Sequence, residues 1–212
     1  MEPKRIIDVS RWQGTIKWAK VKNSAKVDGA ILRVLGSKNA KPYVDPMFQA
    51  NYDACVKYGI PVGVYYYSVA RNRSEANYEL ATFKKQLVGK TFQLPVVLDI
   101  ENARVKTLNK QELTDLVAYE LEVIESWGVY AMLYTYLDFA KNNLYPGGAA
   151  LKPYDIWLAA YRSTKPSTDF AYGMWQYTNK AKVPGISGDV DMNRAYKDYA
   201  AIIKRAGLTQ VK

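Results

Sequence analysis

Leu94-Pro95-Val96-Val97-Leu98-Asp99-Ile100-Glu101 is the stretch of the sequence that decides the fold. Its apolar residues run without polar alternation, as in a parallel strand that is covered on both faces. Successive side chains of a strand point to opposite faces, so Asp99 and Glu101 share one face, ~6.6 Å apart along the backbone. Acids that follow such a strand lie where α/β barrels hold their catalytic groups, at the carboxyl ends of the strands. The stretch predicts an α/β barrel with two acids at its mouth, the end where the parallel strands finish.

A pair of carboxyl groups suits the hydrolysis of glycosidic bonds, in which one is protonated and acts as general acid while the other is charged. A single acid after a strand is often only the N-cap of the next helix or a solvated loop residue. That interpretation is weaker for two acids on the same face of one strand. Asp99 and Glu101 are therefore candidate catalytic residues.

Strand-like and helix-like stretches alternate along the chain. The first five strand-like runs are 6–10, 30–35, 61–68, 94–101 and 130–136, with helix-like stretches at 18–25, 46–58, 74–88 and 109–127. Three later runs, 155–161, 172–178 and 186–192, have little helix between them, and a final helix covers about 195–206. Right-handed crossovers would wrap the first five units into a parallel sheet with its helices outside. This order predicts an irregular, TIM-like α/β barrel formed by residues 1–212 as a single domain.

Two of the predicted helices have recognisable beginnings. Asp45 is a candidate N-cap because a proline follows it, and Asn109 is one because Glu112 lies three residues on. Cys55, the only cysteine, lies within the helix at 46–58, and we expect it to be a small buried apolar side chain.

The composition excludes several classes of site. The 212 residues contain no histidine, which rules out Ser-His-Asp and Cys-His nucleophilic sites and zinc sites built on imidazole. Acid–base chemistry must then use carboxylates, tyrosines or lysines. One cysteine cannot form an intrachain disulfide.

The net charge of +10 favours a polyanionic partner, such as nucleic acid, an anionic bilayer or an anionic cell wall. The lysines are scattered and no nucleic-acid-binding motif is present, so we expect no nucleic-acid partner. No run approaches the ~20 apolar residues of a membrane span, and we expect no membrane insertion. The first residues lack a signal peptide, which predicts synthesis in the cytoplasm.

Further acids lie near predicted strand ends. Asp8 ends the first strand-like run and would point to the same mouth, although an aspartate there can also cap a turn. Asp189 and Asp191 flank one residue in a glycine-rich segment, which either is extended or caps the last helix. A calcium loop is a third interpretation, but the ligand spacing is too sparse for an EF-hand, and we expect no metal.

Aromatic residues also gather at predicted strand ends. Such rings stack on sugars while their polar atoms form hydrogen bonds, although any one of them can instead be core packing. The group predicts a carbohydrate cleft. The candidate substrate-binding residues are Tyr65, Tyr67, Tyr134, Trp157, Tyr161 and Trp175.

Together these segments resemble the glycoside hydrolase family 25 lysozymes, muramidases found among phage endolysins and bacterial autolysins. The matching motifs occur in the family's order over about residues 6–196. They are Asp8-Val9-Ser10-Arg11-Trp12-Gln13-Gly14, Pro61-Val62-Gly63-Val64-Tyr65-Tyr66-Tyr67, Pro95-Val96-Val97-Leu98-Asp99-Ile100-Glu101, Ile156-Trp157-Leu158-Ala159-Ala160-Tyr161, Trp175-Gln176-Tyr177-Thr178 and Val190-Asp191-Met192-Asn193.

The resemblance implies a (β/α)5(β)3 barrel that hydrolyses the β-1,4 bond between N-acetylmuramic acid and N-acetylglucosamine in peptidoglycan, without a cofactor. It implies that Glu101 is the general acid/base, that Asp99 is the second carboxylate, and that Asp8 and Asp191 complete an acidic ring, whereas Asp189 matches no family acid. The family often has histidine where this chain has Tyr66, a position expected to line the cleft wall.

Two other functions remain open at the level of the sequence. One is a chitinase-like hydrolase on the same barrel, and the other is a catalytically silent module that binds cell-wall sugars. The resemblance also suggests a C-terminal cell-wall-binding domain outside this chain, and action on the wall after release through a phage pore.

Overall fold

A computed structural model describes residues 2–212 of the chain. The strands are β1 (Lys4–Val9), β2 (Gly29–Lys38), β3 (Lys41–Val44), β4 (Val62–Tyr67), β5 (Val96–Asp99), β6 (Ala131–Tyr136), β7 (Asp155–Ala159), β8 (Met174–Ala181) and β9 (Val190–Ala195). The helices are α1 (Trp18–Asn23), α2 (Phe48–Lys57), α3 (Arg73–Leu87), α4 (Lys110–Ser126), α5 (Leu137–Asn143) and α6 (Tyr199–Ala206). Two 3₁₀ turns, Arg11–Gln13 and Ala103–Thr107, follow β1 and β5.

Eight of the nine strands close into a barrel in the order β1, β2, β4, β5, β6, β7, β8, β9 and back to β1. Within the barrel, neighbouring strands from β1 round to β8 pair in parallel, whereas β9 is antiparallel to both β8 and β1. Helices α1 to α5 lie in the five connections from β1 to β7, and the last three strands lack such crossovers. The predicted (β/α)5(β)3 barrel is confirmed.

Several local predictions were wrong. Strand β3 was not predicted; it pairs antiparallel with β2 outside the barrel. Helix α5 was also missed, and β9 begins four residues later than predicted. Asp45 is not the N-cap of α2, because the helix begins at Phe48; the Asp45 carboxylate instead accepts hydrogen bonds from Met47 N and Arg11 N.

Other local predictions were confirmed. Asn109 caps α4 in a capping box with Glu112, and each side chain accepts a hydrogen bond from the other residue's backbone N–H. Cys55 is fully buried, and burial raises the pKa of its thiol to about 12. The thiol is therefore neutral near pH 7 and packs as an apolar group.

The apolar core has two layers that follow from strand alternation. On β5, Val97 points into the barrel, where Ile31, Met132 and Trp157 also pack, while Val96 and Leu98 point out toward the helices. The next inward position after Val97 on β5 is Asp99, which has reached the mouth. The uninterrupted apolar run before the two acids is thus explained by a strand that is covered on both faces.

Candidate functional site

Four acids from three strands meet in one pocket at the barrel mouth. Asp8 comes from β1, Asp99 from the end of β5, Glu101 from two residues beyond it, and Asp191 from the beginning of β9. Because β9 runs antiparallel to β1, its first residues lie beside the end of β1, where Asp8 and Asp191 are register partners. The pocket has a volume of about 220 Å³.

Asp189 does not belong to this pocket. It is exposed, and its carboxylate lies 2.7 Å from Lys182 Nζ in a surface ion pair. The glycine-rich segment therefore contributes one acid, Asp191, and the two aspartates do not act as a pair.

Two buried amides hold Asp8 in place. Asp8 Oδ2 accepts hydrogen bonds from Asn193 Nδ2 at 2.8 Å and from Gln176 Nε2 at 3.0 Å. The amide oxygen of Asn193 accepts from Trp157 Nε1, and that of Gln176 accepts from the hydroxyls of Tyr134 and Tyr161. Since both amide nitrogens must donate to Oδ2, a proton carried by Asp8 would be on Oδ1.

Burial raises the pKa values of the four carboxyl groups, and neighbouring acids add to this effect for three of them. Burial and the neighbouring Asp191 raise the pKa of Asp8 to about 8, against the lowering effect of its two amide donors. Burial, Glu101 and Asp8 raise the pKa of Asp99 well above its usual range, whereas Arg33 lowers it. Burial and Asp191 raise the pKa of Glu101, and burial raises the pKa of Asp191 to about 6. The pocket therefore retains protons at a pH where free carboxylic acids are ionised.

Arg33, which was not predicted from the sequence, lies close enough to the mouth to lower the pKa of Asp99. It lies on β2 opposite Tyr65 of β4, and its guanidinium lies 2.7 Å from a carboxylate oxygen of the buried Asp45. The Asp45 carboxylate also accepts from Arg11 N, so it ties β2 to the turn that follows β1. A lone arginine within the apolar run 30–35 was the signal that could have identified it.

The aromatic candidates divide into three groups. Tyr65, Tyr134, Trp157 and Tyr161 line the acid pocket. Tyr67 lies at its edge, where its hydroxyl accepts a hydrogen bond from Asn102 Nδ2 at 2.8 Å. The prediction for Trp175 was wrong. Side chains alternate along a strand, and its neighbours Met174 and Gln176 both point into the barrel, so Trp175 points away from the pocket.

Trp175 itself points to the outside of the barrel. It is 1% exposed, donates from Nε1 to Ala160 O at 2.8 Å, and packs beside the guanidinium of Arg194. The expectation for Tyr66 was also wrong. Tyr66 does not line the cleft but is buried on the helix side of β4, against Phe83 and Glu120.

Exposure separates the pocket aromatics by what they can offer a sugar. Trp157 and Tyr134 are 1% and 8% exposed, so they form the floor, whereas Tyr161 is 55% exposed. Only a ring with an exposed face can stack on a sugar, so of these three residues Tyr161 is the best candidate for stacking.

A larger groove of about 1130 Å³ lies beside α4 and α5. Asp169 is the single acid in its lining, so the paired-acid chemistry belongs to the smaller pocket. Within residues 2–212, no cluster of three or more His, Cys, Asp or Glu side chains is arranged to hold a metal ion. No helix in the same range is both long and apolar enough to cross a bilayer.

Comparison with known proteins places the chain in a family. The model of Glycosyl hydrolases family 25 matches residues 7–186. YegX, an uncharacterized protein of Escherichia coli K12, is 31% identical over 196 residues, which are 88% of this chain and 67% of YegX. Lysozyme M1 of Streptomyces globisporus is 30% identical over 220 residues, covering 96% of this chain and 71% of that protein.

Solved structures agree on the fold. The bacterial lysozyme from Streptomyces coelicolor superimposes with a TM-score of 0.80 at 24% identity, covering 97% of this chain and 98% of that one. The family match extends over most of the chain, and the solved structure shares its barrel fold. The chain therefore belongs to glycosyl hydrolases family 25, and it is a glycoside hydrolase of the lysozyme type.

Proposed function

We propose that this protein is a peptidoglycan hydrolase that cleaves the β-1,4 bond between N-acetylmuramic acid and N-acetylglucosamine. The observation that carries the proposal is the pocket of four carboxyl groups whose pKa values are raised by burial and, for Asp8, Asp99 and Glu101, by neighbouring acids. Such a pocket supplies both a protonated and an ionised carboxyl group near neutral pH, as glycosidic cleavage requires. Membership of family 25 and the similarity to Lysozyme M1 support peptidoglycan as the substrate.

Glu101 is the proposed general acid/base. It is less buried than Asp8 and Asp99, and it lines both the acid pocket and an adjoining groove. A carboxyl group in that position can reach the glycosidic oxygen between a sugar in the pocket and one outside it. Its raised pKa keeps the proton that it must give to the leaving oxygen.

Asp99 can act in either of two ways. It can attack the anomeric carbon directly, as in retaining enzymes whose carboxyl groups are ~5–5.5 Å apart. Alternatively, the N-acetyl oxygen of the substrate attacks that carbon, and Asp99 accepts a hydrogen bond from the amide N–H and stabilises the charged ring.

The environment of Asp99 favours the second route. Its Oδ1 is buried and has no hydrogen-bond partner within residues 2–212, so the amide N–H of an N-acetyl sugar would supply a missing donor. Asp8 and Asp191 keep the proton affinity of the pocket high.

The proposal extends to the wider setting of the reaction. Residues 1–212 would act as one catalytic domain on the cell wall, and Tyr65, Tyr67, Tyr134, Trp157 and Tyr161 would contact the glycan. We propose no nucleic-acid partner, and release through a phage pore as the route to the wall.

The test is the chemistry of the new chain ends. Purified peptidoglycan is digested, the products are reduced with borohydride, and the reduced sugars are identified by mass spectrometry. Muramitol ends support the proposal, and glucosaminitol ends would show that the other glycosidic bond is cut. Binding to the wall without new ends would indicate a silent sugar-binding module.

Substitution of Asp99 separates the two routes. Asp99→Asn should lose most of the activity in either case. Azide can replace a missing carboxylate nucleophile, so a glycosyl azide product from Asp99→Asn would indicate direct attack by Asp99. Undiminished activity in Asp99→Asn would contradict both routes.

A further inference from the structure

A second groove opens from the acid pocket and leads outward. It shares Glu101, Tyr134 and Tyr161 with the pocket and continues between the beginning of α5 and the end of β7. We call it the α5 groove, which Tyr136, Lys141 and Arg162 line beyond the shared residues. Its volume of about 560 Å³ lies within the ~300–1,000 Å³ of sites that enclose small ligands.

Positive charges in the α5 groove have no acidic partner. Lys141 and Arg162 are exposed, and within residues 2–212 neither has a carboxylate oxygen within 4.0 Å. Lys106 Nζ reaches the edge of the groove, where it donates to Tyr136 Oη at 3.2 Å. The acid beside them, Asp138, accepts from its helix neighbour Asn142.

The line of cations continues beyond the α5 groove. Lys141 also lines the larger groove of about 1130 Å³, where Lys110 Nζ donates to Lys141 O at 2.7 Å. Lys110 likewise forms no ion pair within the described range. A chain bound from the acid pocket outward would therefore meet positive charge at successive positions, which attracts an anionic ligand.

Glu101 sets the direction in which the substrate lies. Of the four acids, it alone lines both the acid pocket and the α5 groove. A general acid protonates the oxygen that departs with the leaving sugar, so the leaving part of the glycan lies on the α5 side of Glu101. This step depends on the proposed function.

We propose that the α5 groove binds the leaving part of the glycan strand and that Lys141 and Arg162 bind carboxylates of the peptide stem on its next muramic acid. While the stem peptides are attached, the lactyl carboxyl groups of the muramic acids are amides and the sugars of the strand are uncharged. The cations therefore need a ligand group beyond the sugars, and the stem peptide provides free carboxylates. Guanidinium and ammonium groups form charge-assisted hydrogen bonds with such oxygens. The groove then makes the enzyme prefer peptide-bearing strands.

The experiment compares two soluble substrates. One is glycan with its stem peptides, freed of teichoic acid. The other is the same glycan after an amidase has removed the peptides and the lactyl carboxylates exposed by that cleavage have been converted to neutral methyl amides. The variant is Lys141→Ala/Arg162→Ala, and the control is Lys26→Ala/Arg205→Ala, which removes the same charge from exposed positions away from the mouth. We expect the ratio of kcat/KM on peptide-bearing to peptide-free strands to fall about 3- to 10-fold in the variant and to stay constant in the control.

Three results would overturn the proposal. These are an unchanged ratio in the variant, an equal fall in the control, and a fall that occurs only when teichoic acid is left on the wall, which would assign the cations to phosphate. Analytical ultracentrifugation of Glu101→Gln mixed with each strand measures the binding preference for peptide-bearing strands without turnover. The measurement is repeated with the two groove substitutions added to Glu101→Gln. If wild type yields no muramitol ends but the binding preference depends on the two cations, the proposed function fails, while the binding of stem-peptide carboxylates by Lys141 and Arg162 stands.

Discussion

Glu120 is a buried carboxyl group that the proposed reaction does not use. It lies on α4 at 0% exposure, on the helix side of the sheet, and its Oε2 accepts a hydrogen bond of 2.5 Å from Tyr66 Oη. Burial and the nearby Glu79 raise its pKa from 4.5 to about 8, against the lowering effect of the hydrogen bond from Tyr66. The folded protein therefore retains a proton here that the unfolded chain releases above pH 4.5. Because the folded pKa is the higher one, the free energy of unfolding falls as the pH rises from about 4.5 to about 8.

Glu120→Gln keeps the size of the side chain and an oxygen that accepts from Tyr66, but it cannot ionise. At pH 7 the unfolded-state pKa lies about 2.5 units below the pH, at about 1.4 kcal/mol a unit, so ionisation of the unfolded chain destabilises wild type by about 3 kcal/mol. We expect the stability of Glu120→Gln relative to wild type to increase by about 3 kcal/mol between pH 4.5 and pH 7.

Urea unfolding at the two pH values measures this difference. Glu122→Gln is the matched control, because Glu122 is exposed on the same helix, and its stability should follow wild type at both pH values. The other acids of the protein are unchanged in these variants, so their contributions cancel. Parallel pH dependence of Glu120→Gln and wild type would refute the reasoning, since it would mean that Glu120 is ionised in the fold.

Three further predictions concern the mouth of the barrel. Glu101→Gln should lower kcat about 10²- to 10⁴-fold in reducing-end assays, with a Tm no lower than that of wild type, because it removes a transferable proton and a partly buried ionisable group; near-normal activity would exclude Glu101 as the acid. Asp191→Asn should move the alkaline limb of the kcat/KM profile to lower pH, since Asp191 raises the pKa of Glu101; a limb that stays in place would separate the two residues. Trp175→Phe should cost about 1–3 kcal/mol in urea unfolding without altering KM, whereas Tyr161→Ala should raise KM; a raised KM in Trp175→Phe would return Trp175 to the cleft.

Most of the fold was predicted from the periodicity of the strands. The run from Val96 to Glu101 implied a strand with two covered faces, and its two acids do lie in one pocket. Asp8 joined them on the same reasoning, because parallel strands finish at the same end of a barrel. These predictions succeeded because they depend only on alternation along one strand.

Two features were not predictable, one because its turn lacks the usual residues and the other because it depends on strand register. The β2–β3 hairpin turns at Asn39 and Ala40, both with positive φ, and it lacks the glycine that marks such turns. Trp175 and Gln176 were indistinguishable without the register of β8. The type of side chain suggested the tryptophan, although the glutamine is the one that contacts Asp8.

The amides that orient Asp8 were present in the quoted motifs, but their role depends on contacts across the barrel. Asn193 contacts Asp8 over 185 positions and Gln176 over 168. No local pattern encodes such pairs, because they form only when the sheet closes.

The closure of the barrel by β1 and β9 has a consequence for synthesis on the ribosome. Asp8 is translated long before its partners Asp191 and Asn193, since Asn193 lies 185 positions later in the chain. At ~5–20 residues per second, a nascent chain spends ~10 s or more with its first strand unpaired on the β9 side. The acid pocket cannot assemble during that time, so a nascent chain that has begun to fold lacks hydrolytic activity until β9 has left the ribosome.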